Sequence, residues 1–258
     1  MAGSSAYRKK RYRRRNRRII AFLLYVLFVV LTVAALAAAI TIFFKIHEVR
    51  IEGESRYPAQ KIIAASGIET GKNMFSFNKF AAIERIFAEC PYLDEIAIRR
   101  RLPDLVTIKI KECSAVAVIR DRETGGSYVM DINGKLLEKL GYGETAEGMC
   151  LITGVSLDNA QEGAYSVFLE QEKQKPLFLL LNTAEKSDIL KNIGEIDITE
   201  NYDITLRYDG RFLVKLGTAE DIEKKLRYMQ VLVEEKLGSG VRGTIDVSDT
   251  QTARFLAD

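Results

Sequence analysis

Residues that do chemistry are scarce in this sequence, which holds one histidine, His47, and three cysteines, Cys90, Cys113 and Cys150, in 258 residues. A single histidine excludes any centre that needs two. Three cysteines at these positions form neither an even set nor a metal-binding spacing, so no disulfide framework is indicated. Their neighbours (Lys111-Glu112-Cys113-Ser114-Ala115-Val116 and Met149-Cys150-Leu151-Ile152) predict buried, inert thiols. Phosphate loops are missing too: Gly71-Lys72 and Gly240-Val241-Arg242-Gly243 lack the full glycine-lysine-serine or -threonine pattern. The carboxylates Asp94-Glu95, Glu195, Asp197 and Glu234-Glu235 read as solvated faces. No cofactor motif stands out, and no repeat or low-complexity segment follows residue 18. With no catalytic residues, cofactor or metal to assign, the sequence points to a protein that binds rather than converts. A His47–cysteine pair, as in a membrane-anchored cell-wall enzyme, is the catalytic alternative.

Acid is absent from the first 18 residues, which carry nine of the chain's 38 Lys and Arg. The remainder has 29 basic residues against 35 acidic ones, a net charge of −6 that the overall +3 conceals. Between these two parts lies Ile19 to Phe44, 26 residues without a charge. As a helix this run would reach about 39 Å, more than the roughly 30 Å hydrocarbon core of a bilayer, and would span it with some tilt. The preceding RKKRYRRRNRR cluster holds the N-terminus in the cytoplasm and sends everything after about residue 45 across. A cleaved signal peptide would have a shorter apolar core, of about 7–15 residues. A twin-arginine signal at Arg17-Arg18 would likewise carry a less anchor-like segment. A nucleic-acid-binding arm is the remaining reading of the basic tail, but its place against the bilayer favours anionic lipid and no nucleic acid.

The outer part alternates elements in a readable order. Lys45 to Gly53 predicts a strand ending at a glycine turn; Pro58 to Ala65 and Asn78 to Ala88, the latter capped by Asn78, predict helices. Leu93 to Arg101 and Leu105 to Lys111 predict a hairpin around Leu102-Pro103-Asp104. Beyond Glu112, Thr124-Gly125-Gly126, Asn133-Gly134 and Asp209-Gly210 mark turns between short strands. Helices are expected over Gly163 to Thr183, broken near Pro176, and over Thr218 to Leu237, capped by Thr218 with Ile222, Leu226, Met229 and Val233 on one face. A last strand, Val241 to Val247, closes the pattern. The fold class is α+β.

In this order the chain resembles the FtsQ/DivIB family of bacterial cell division proteins. The resemblance rests on Val49, Ile51 and Gly53 at the first strand and on Leu102-Pro103, Val106, Ile108, Ile110 and Glu112 in the hairpin. Further on it rests on Tyr128-Val129-Met130-Asp131 with Gly134, Leu151-Ile152-Thr153-Gly154, Leu216-Gly217 with Lys225-Leu226, and Gly243-Thr244-Ile245-Asp246-Val247. Ser114 and Ser248 depart from the family's pattern, standing where a proline and an arginine are common. The resemblance implies a basic tail (1–18), a transmembrane helix (19–44), a POTRA domain (45–113), a β-domain (114–248) and a tail (249–258). It also implies a non-enzymatic, single-pass scaffold at the septum of the bacterial cell membrane. Its expected partners are the FtsB/DivIC-like and FtsL-like bitopic proteins, with membrane-embedded division proteins at the POTRA domain. A docking component of a secretion system is the alternative that POTRA units also suggest. If binding is by strand addition, the last strand is the expected edge, with Thr244, Ile245, Asp246, Val247 and Ser248 as contacts and Arg254 and Phe255 just beyond. On that expectation, Val247→Pro removes an edge donor.

Overall fold

The apolar run folds as one helix because nothing within it breaks the pattern: α1 covers Ser4–Phe43 in the computed structural model of the chain. The structure describes residues 4–141, 144, 148–200, 202–238 and 240–257, with side chains from residue 21 on. Within α1, Ala21–Phe43 is long and apolar enough to cross a membrane, with a mean hydropathy of 2.8, and none of it is buried by protein.

The chain divides into two units. The first contains residues up to Glu52, Ala59–Ile83 and Ala97–Lys109; the second contains Gly53–Pro58, Glu84–Ile96 and Ile110 onward. After α1 come β1 (Glu48–Glu52), α2 (Ala59–Ser66), α3 (Lys79–Glu89), β2 (Leu93–Arg101) and β3 (Leu105–Glu112). The three strands form a sheet of order β1-β3-β2, in which β1 runs parallel to β3 with Val49 opposite Val106 and Ile51 opposite Ile108. Asn78 caps α3 as expected, its Oδ1 accepting the Phe80 N–H at 2.9 Å. The first unit buries Ile46, Ile62, Met74, Ala82, Ile98, Val106 and Ile108.

The second unit is built on a nine-stranded sheet. Its strands are β4 (Ala115–Asp121), β5 (Ser127–Asp131), β6 (Leu136–Leu140), β7 (Cys150–Val155), β8 (Ile193–Asp197), β9 (Ile204–Tyr208), β10 (Phe212–Gly217), β11 (Gly243–Asp246) and β12 (Arg254–Ala257). They lie in the order β12-β11-β10-β9-β8-β7-β4-β5-β6. Two helices, α4 (Gln171–Lys186) and α5 (Ile222–Val231), share one hydrophobic core with the inner face of this sheet. Ile222, Leu226, Met229 and Val233 are all buried there, as their helical spacing predicts.

Two helix expectations are corrected. The first helix begins at Gln171 and not at Gly163, because the backbone of 163–168 is used elsewhere. Gly163 donates to the Leu136 carbonyl (2.7 Å), Ser166 to that of Gly134 (2.8 Å), and Leu157 bridges Phe168. Nor does Pro176 break it; the ring costs only the bond to a first-turn carbonyl, and the fully buried Leu177, Leu180, Leu181 and Ala184 hold the following turns. The second helix starts at Ile222 behind Asp221, whose φ of +52° turns the chain, while Thr218 offers its carbonyl to Lys225. Its last turn winds as a π-helix, Leu232–Lys236.

Candidate partner-binding edge

A β-sheet offers unpaired N–H and C=O groups only at its two edges, here β6 and β12. The β6 edge is occupied. Residues 163–166 bond along Gly134 and Leu136, with Leu136 N–H donating to the Ala164 carbonyl at 2.8 Å, and the Glu162 carboxylate accepts the Lys139 N–H at 2.9 Å. Among the described residues, no strand pairs with the outer side of β12.

Which backbone groups of β12 face outward follows from the ladder. Gly243 N–H donates to Arg211 and Val247 N–H to Lys215, so the odd residues of β11 bond toward β10. Thr244 and Asp246 therefore bond toward β12, where they stand opposite Leu256 and Arg254. That leaves the N–H and C=O of Phe255 and Ala257 pointing away from the sheet. Side chains alternate in the orthogonal direction. Ile245 is fully buried, and Phe255 opposite it packs on the core, its ring edge-on to Phe212 at 6.3 Å. On the opposite face Leu256 is 66% exposed.

Glycine at 243 permits this pairing. Its φ is +153°, and a Cβ there would lie 2.2 Å from the Leu256 carbonyl oxygen. The loop back to β12 is tied by short side chains: the Asp246 carboxylate accepts from Ser248 Oγ (2.6 Å) and N–H (3.0 Å), and that of Asp249 from the Gln251 N–H (2.9 Å). The Ser248 bonds hold the Asp246 carboxyl below its ordinary range, with Lys215 and Arg254 adding to the effect.

The expected edge is therefore displaced by one strand. The segment of Thr244, Ile245 and Asp246 is internal, flanked by β10 and β12. Val247 is fully buried and its N–H is already used by Lys215, so Val247→Pro would strike the fold and not an edge donor. Ser248 is exposed in the turn. Arg254 and Phe255 do lie on the outermost strand, joined by Leu256 and Ala257, which sequence reasoning missed. Four residues that alternate only once carry too little pattern to announce a strand. Of the other named residues, Val49 and Ile51 lie half-buried on β1, an edge of the three-stranded sheet. Gly53 follows with a φ of +123°, and a Cβ on it would meet the Ile110 carbonyl oxygen at 2.2 Å.

The thiols are shielded. Cys90, Cys113 and Cys150 are all buried; burial pushes the Cys150 thiol up to about 12 and raises Cys113, which also feels the Asp131 charge. His47 is exposed. Three buried lysines donate to carbonyls: Lys135 to Leu93 (2.7 Å), Lys173 to Gly154 (2.7 Å), and Lys225 to Leu216 and Thr218 (2.9 and 2.8 Å).

Residues 44–112 match the POTRA domain, FtsQ-type, and residues 117–248 match the C-terminal domain of cell division protein FtsQ/DivIB. The second match stops at Ser248, before β12. The chain is 31% identical over 213 residues to the cell division protein DivIB of Clostridium botulinum (strain Loch Maree / Type A3), covering 80% of this chain and 79% of that protein. To DivIB of C. botulinum strain Hall it is 30% identical over 211 residues, with the same coverage. It is 27% identical over 210 residues to the cell division protein FtsQ of Geotalea daltonii, covering 80% of this chain and 74% of that protein.

Proposed function

Because this chain belongs to the FtsQ/DivIB family of cell division proteins, we propose that it is a non-catalytic, bitopic scaffold that captures partner segments by strand addition to β12. The partners in this reading are FtsB/DivIC-like and FtsL-like bitopic proteins, and their capture organises cell-wall synthesis at the septum. The observation that carries the reading is the pair of outward-facing backbone residues, Phe255 and Ala257, on an edge that no strand covers among the described residues, with Leu256 exposed beside them. Main-chain hydrogen bonds to that edge would supply affinity, and the alternating side chains selectivity.

The rest of the layout follows from the anchor. The basic tail (1–18) stays in the cytoplasm against anionic lipid. The helix (19–44) crosses, and the POTRA domain (45–113) and β-domain (114–248) lie outside. The edge strand β1, with Val49, Ile51 and the Gly53 turn, is the corresponding surface for membrane-embedded division proteins. An enzyme using His47 and a cysteine is disfavoured by the burial of all three thiols.

Ala257→Pro tests the proposal directly, since it removes one outward donor and leaves the bonds between β11 and β12 in place. We expect the full-length variant to fold and melt like the parent while losing co-purification with its bitopic partners. A folded Ala257→Pro protein that captures them as well as the parent would overturn strand addition at β12.

A further inference from the structure

The segment that leads from α2 to α3 is zipped to the exit of α1. Gly71 N–H donates to the Ile46 carbonyl (2.7 Å), Ile46 N–H to Lys72 (2.9 Å), and Met74 N–H to Phe44 (2.9 Å). Asn73 reaches further back, its Nδ2 donating to the Ile40 carbonyl at 3.0 Å. Ile40 lies inside the apolar span Ala21–Phe43, so Asn73 is placed at the depth of the helix's last turn.

Phe75 follows immediately, and its ring meets Phe44 edge-on at 5.5 Å. The loop is rigidly built: Asn73 Oδ1 accepts the Phe75 N–H (2.8 Å), and Arg100 donates to the Met74 and Phe77 carbonyls (2.7 and 2.9 Å). Yet Phe75 remains 51% exposed and Phe80, at the start of α3, 78% exposed. Two open phenylalanines, one on a pinned loop and one at the start of the helix that follows it, are unfavourable in water. Beside a membrane exit they sit where aromatic side chains concentrate.

We propose that this loop is a second membrane contact, with Phe75, and Phe80 flanking it, seated in the headgroup–acyl boundary on the far side of the bilayer. The occupant is lipid and not a protein groove, because the apolar surface of Phe75 is continuous with that of the spanning helix through Phe44. The loop then fixes the first unit against the bilayer, where a lone helix would leave it to swing. The inference rests on α1 spanning the membrane.

The chain has no tryptophan, so single replacements report their own surroundings. Phe75→Trp, Phe80→Trp, Phe28→Trp within the span and Tyr202→Trp on an 82% exposed site would each be made in the full chain. Each would be reconstituted in phosphatidylglycerol/phosphatidylcholine vesicles with and without brominated lipid. We expect Phe75→Trp to emit to the blue of Tyr202→Trp and to be quenched by lipid brominated high on the acyl chain, with Phe80→Trp showing the same in weaker form. Phe75→Trp that is quenched by aqueous iodide like Tyr202→Trp, or that is shielded from both quenchers, overturns the contact. Phe28→Trp separates the two readings: quenched by deep bromine, it leaves the span standing when the loop contact fails, and unquenched, it removes the span itself.

Discussion

Replacing Gly243 by alanine is expected to detach β12 while leaving most of the domain folded. The added Cβ would lie 2.2 Å from the Leu256 carbonyl oxygen and 3.0 Å from Ala257 Cα, both backbone atoms that side-chain rotation cannot move aside. Whether the domain bends or the strand leaves depends on how firmly β12 is held. Two hydrogen-bonded pairs, Thr244 with Leu256 and Asp246 with Arg254, contribute up to about 4 kcal/mol at roughly 1 kcal/mol per bond. The half-buried Phe255 ring adds about 1–2 kcal/mol, including its contact with Phe212. Ordering four residues costs about 4–8 kcal/mol. The two sides nearly cancel, so a clash at Gly243 is relieved by release of the strand. Hydrogen exchange followed by mass spectrometry should show the 254–257 amides losing protection, with the melting transition of the domain lowered by only a few degrees and partner capture lost. Gly210→Ala is the control: its φ of +63° is strained for alanine, but nothing lies within 4 Å of the new Cβ, so 254–257 should keep parental protection. Undiminished protection of 254–257 in Gly243→Ala would refute the reasoning, since β12 would then be held by more than these contacts.

Three further outcomes are expected. Tyr92 donates to Glu138 at 2.8 Å, and burial first, then this bond, raises its phenol to about 12 from an ordinary value near 10. The stabilising contribution is thus complete below about pH 10 and lost as pH rises toward 12, so the denaturant midpoint of the parent should converge on that of Tyr92→Phe across that window; a gap independent of pH would contradict it. Iodoacetamide at neutral pH should leave Cys90, Cys113 and Cys150 unmodified until denaturant is added, and rapid alkylation of any of them in the native protein would revive a catalytic role. Lys225→Met would leave the buried carbonyl of Leu216 without its donor and should cost about 1–3 kcal/mol in urea denaturation, while an unchanged midpoint would show that the carbonyl finds another partner.

The parts of the fold legible in the sequence are those set by local rules. Asp209-Gly210 turns as its dipeptide predicts, with φ of +55° and +63°, and β9 and β10 pair across it. The alternation of Val106, Ile108 and Ile110 marks β3, and all three are buried. What escaped were elements defined by distant partners. β8, Ile193–Asp197, holds a glycine and two acids in five residues and exists because β7 and β9 receive it on either side. The parallel pairings of β4 with β7 and of β10 with β11 join strands separated by whole connections, and no local pattern encodes them. The candidate site fell between these cases. Thr244 to Val247 looked like an edge because they form the last strong apolar alternation, yet a weaker four-residue strand covers them.

The asymmetry of the large sheet bears on which end would take the strand proposed above. On its outer face, the β4–β6 end is covered by Tyr57 and Tyr92, which join Val118, Val129 and Leu137 in a small second core. The β8–β12 end carries two cross-strand rows instead. One runs Glu195, Arg207, Leu213, Thr244, Leu256, with Arg207 and Glu195 paired at 2.9 Å; the other runs Asp197, Thr205, Lys215, Asp246, Arg254. A strand added to β12 would extend both. Its residue beside Leu256 meets an exposed apolar side chain next to the partly exposed Leu213 row, and its residue beside Arg254 meets a cation whose only row neighbour of opposite charge, Asp246, is already bonded to Ser248. Cross-strand pairing then favours an apolar residue at the first position and an acid two residues along at the second. Slippage by one residue would place both on the wrong face, so on the proposed strand addition the same two rows that would select the segment would also fix its register.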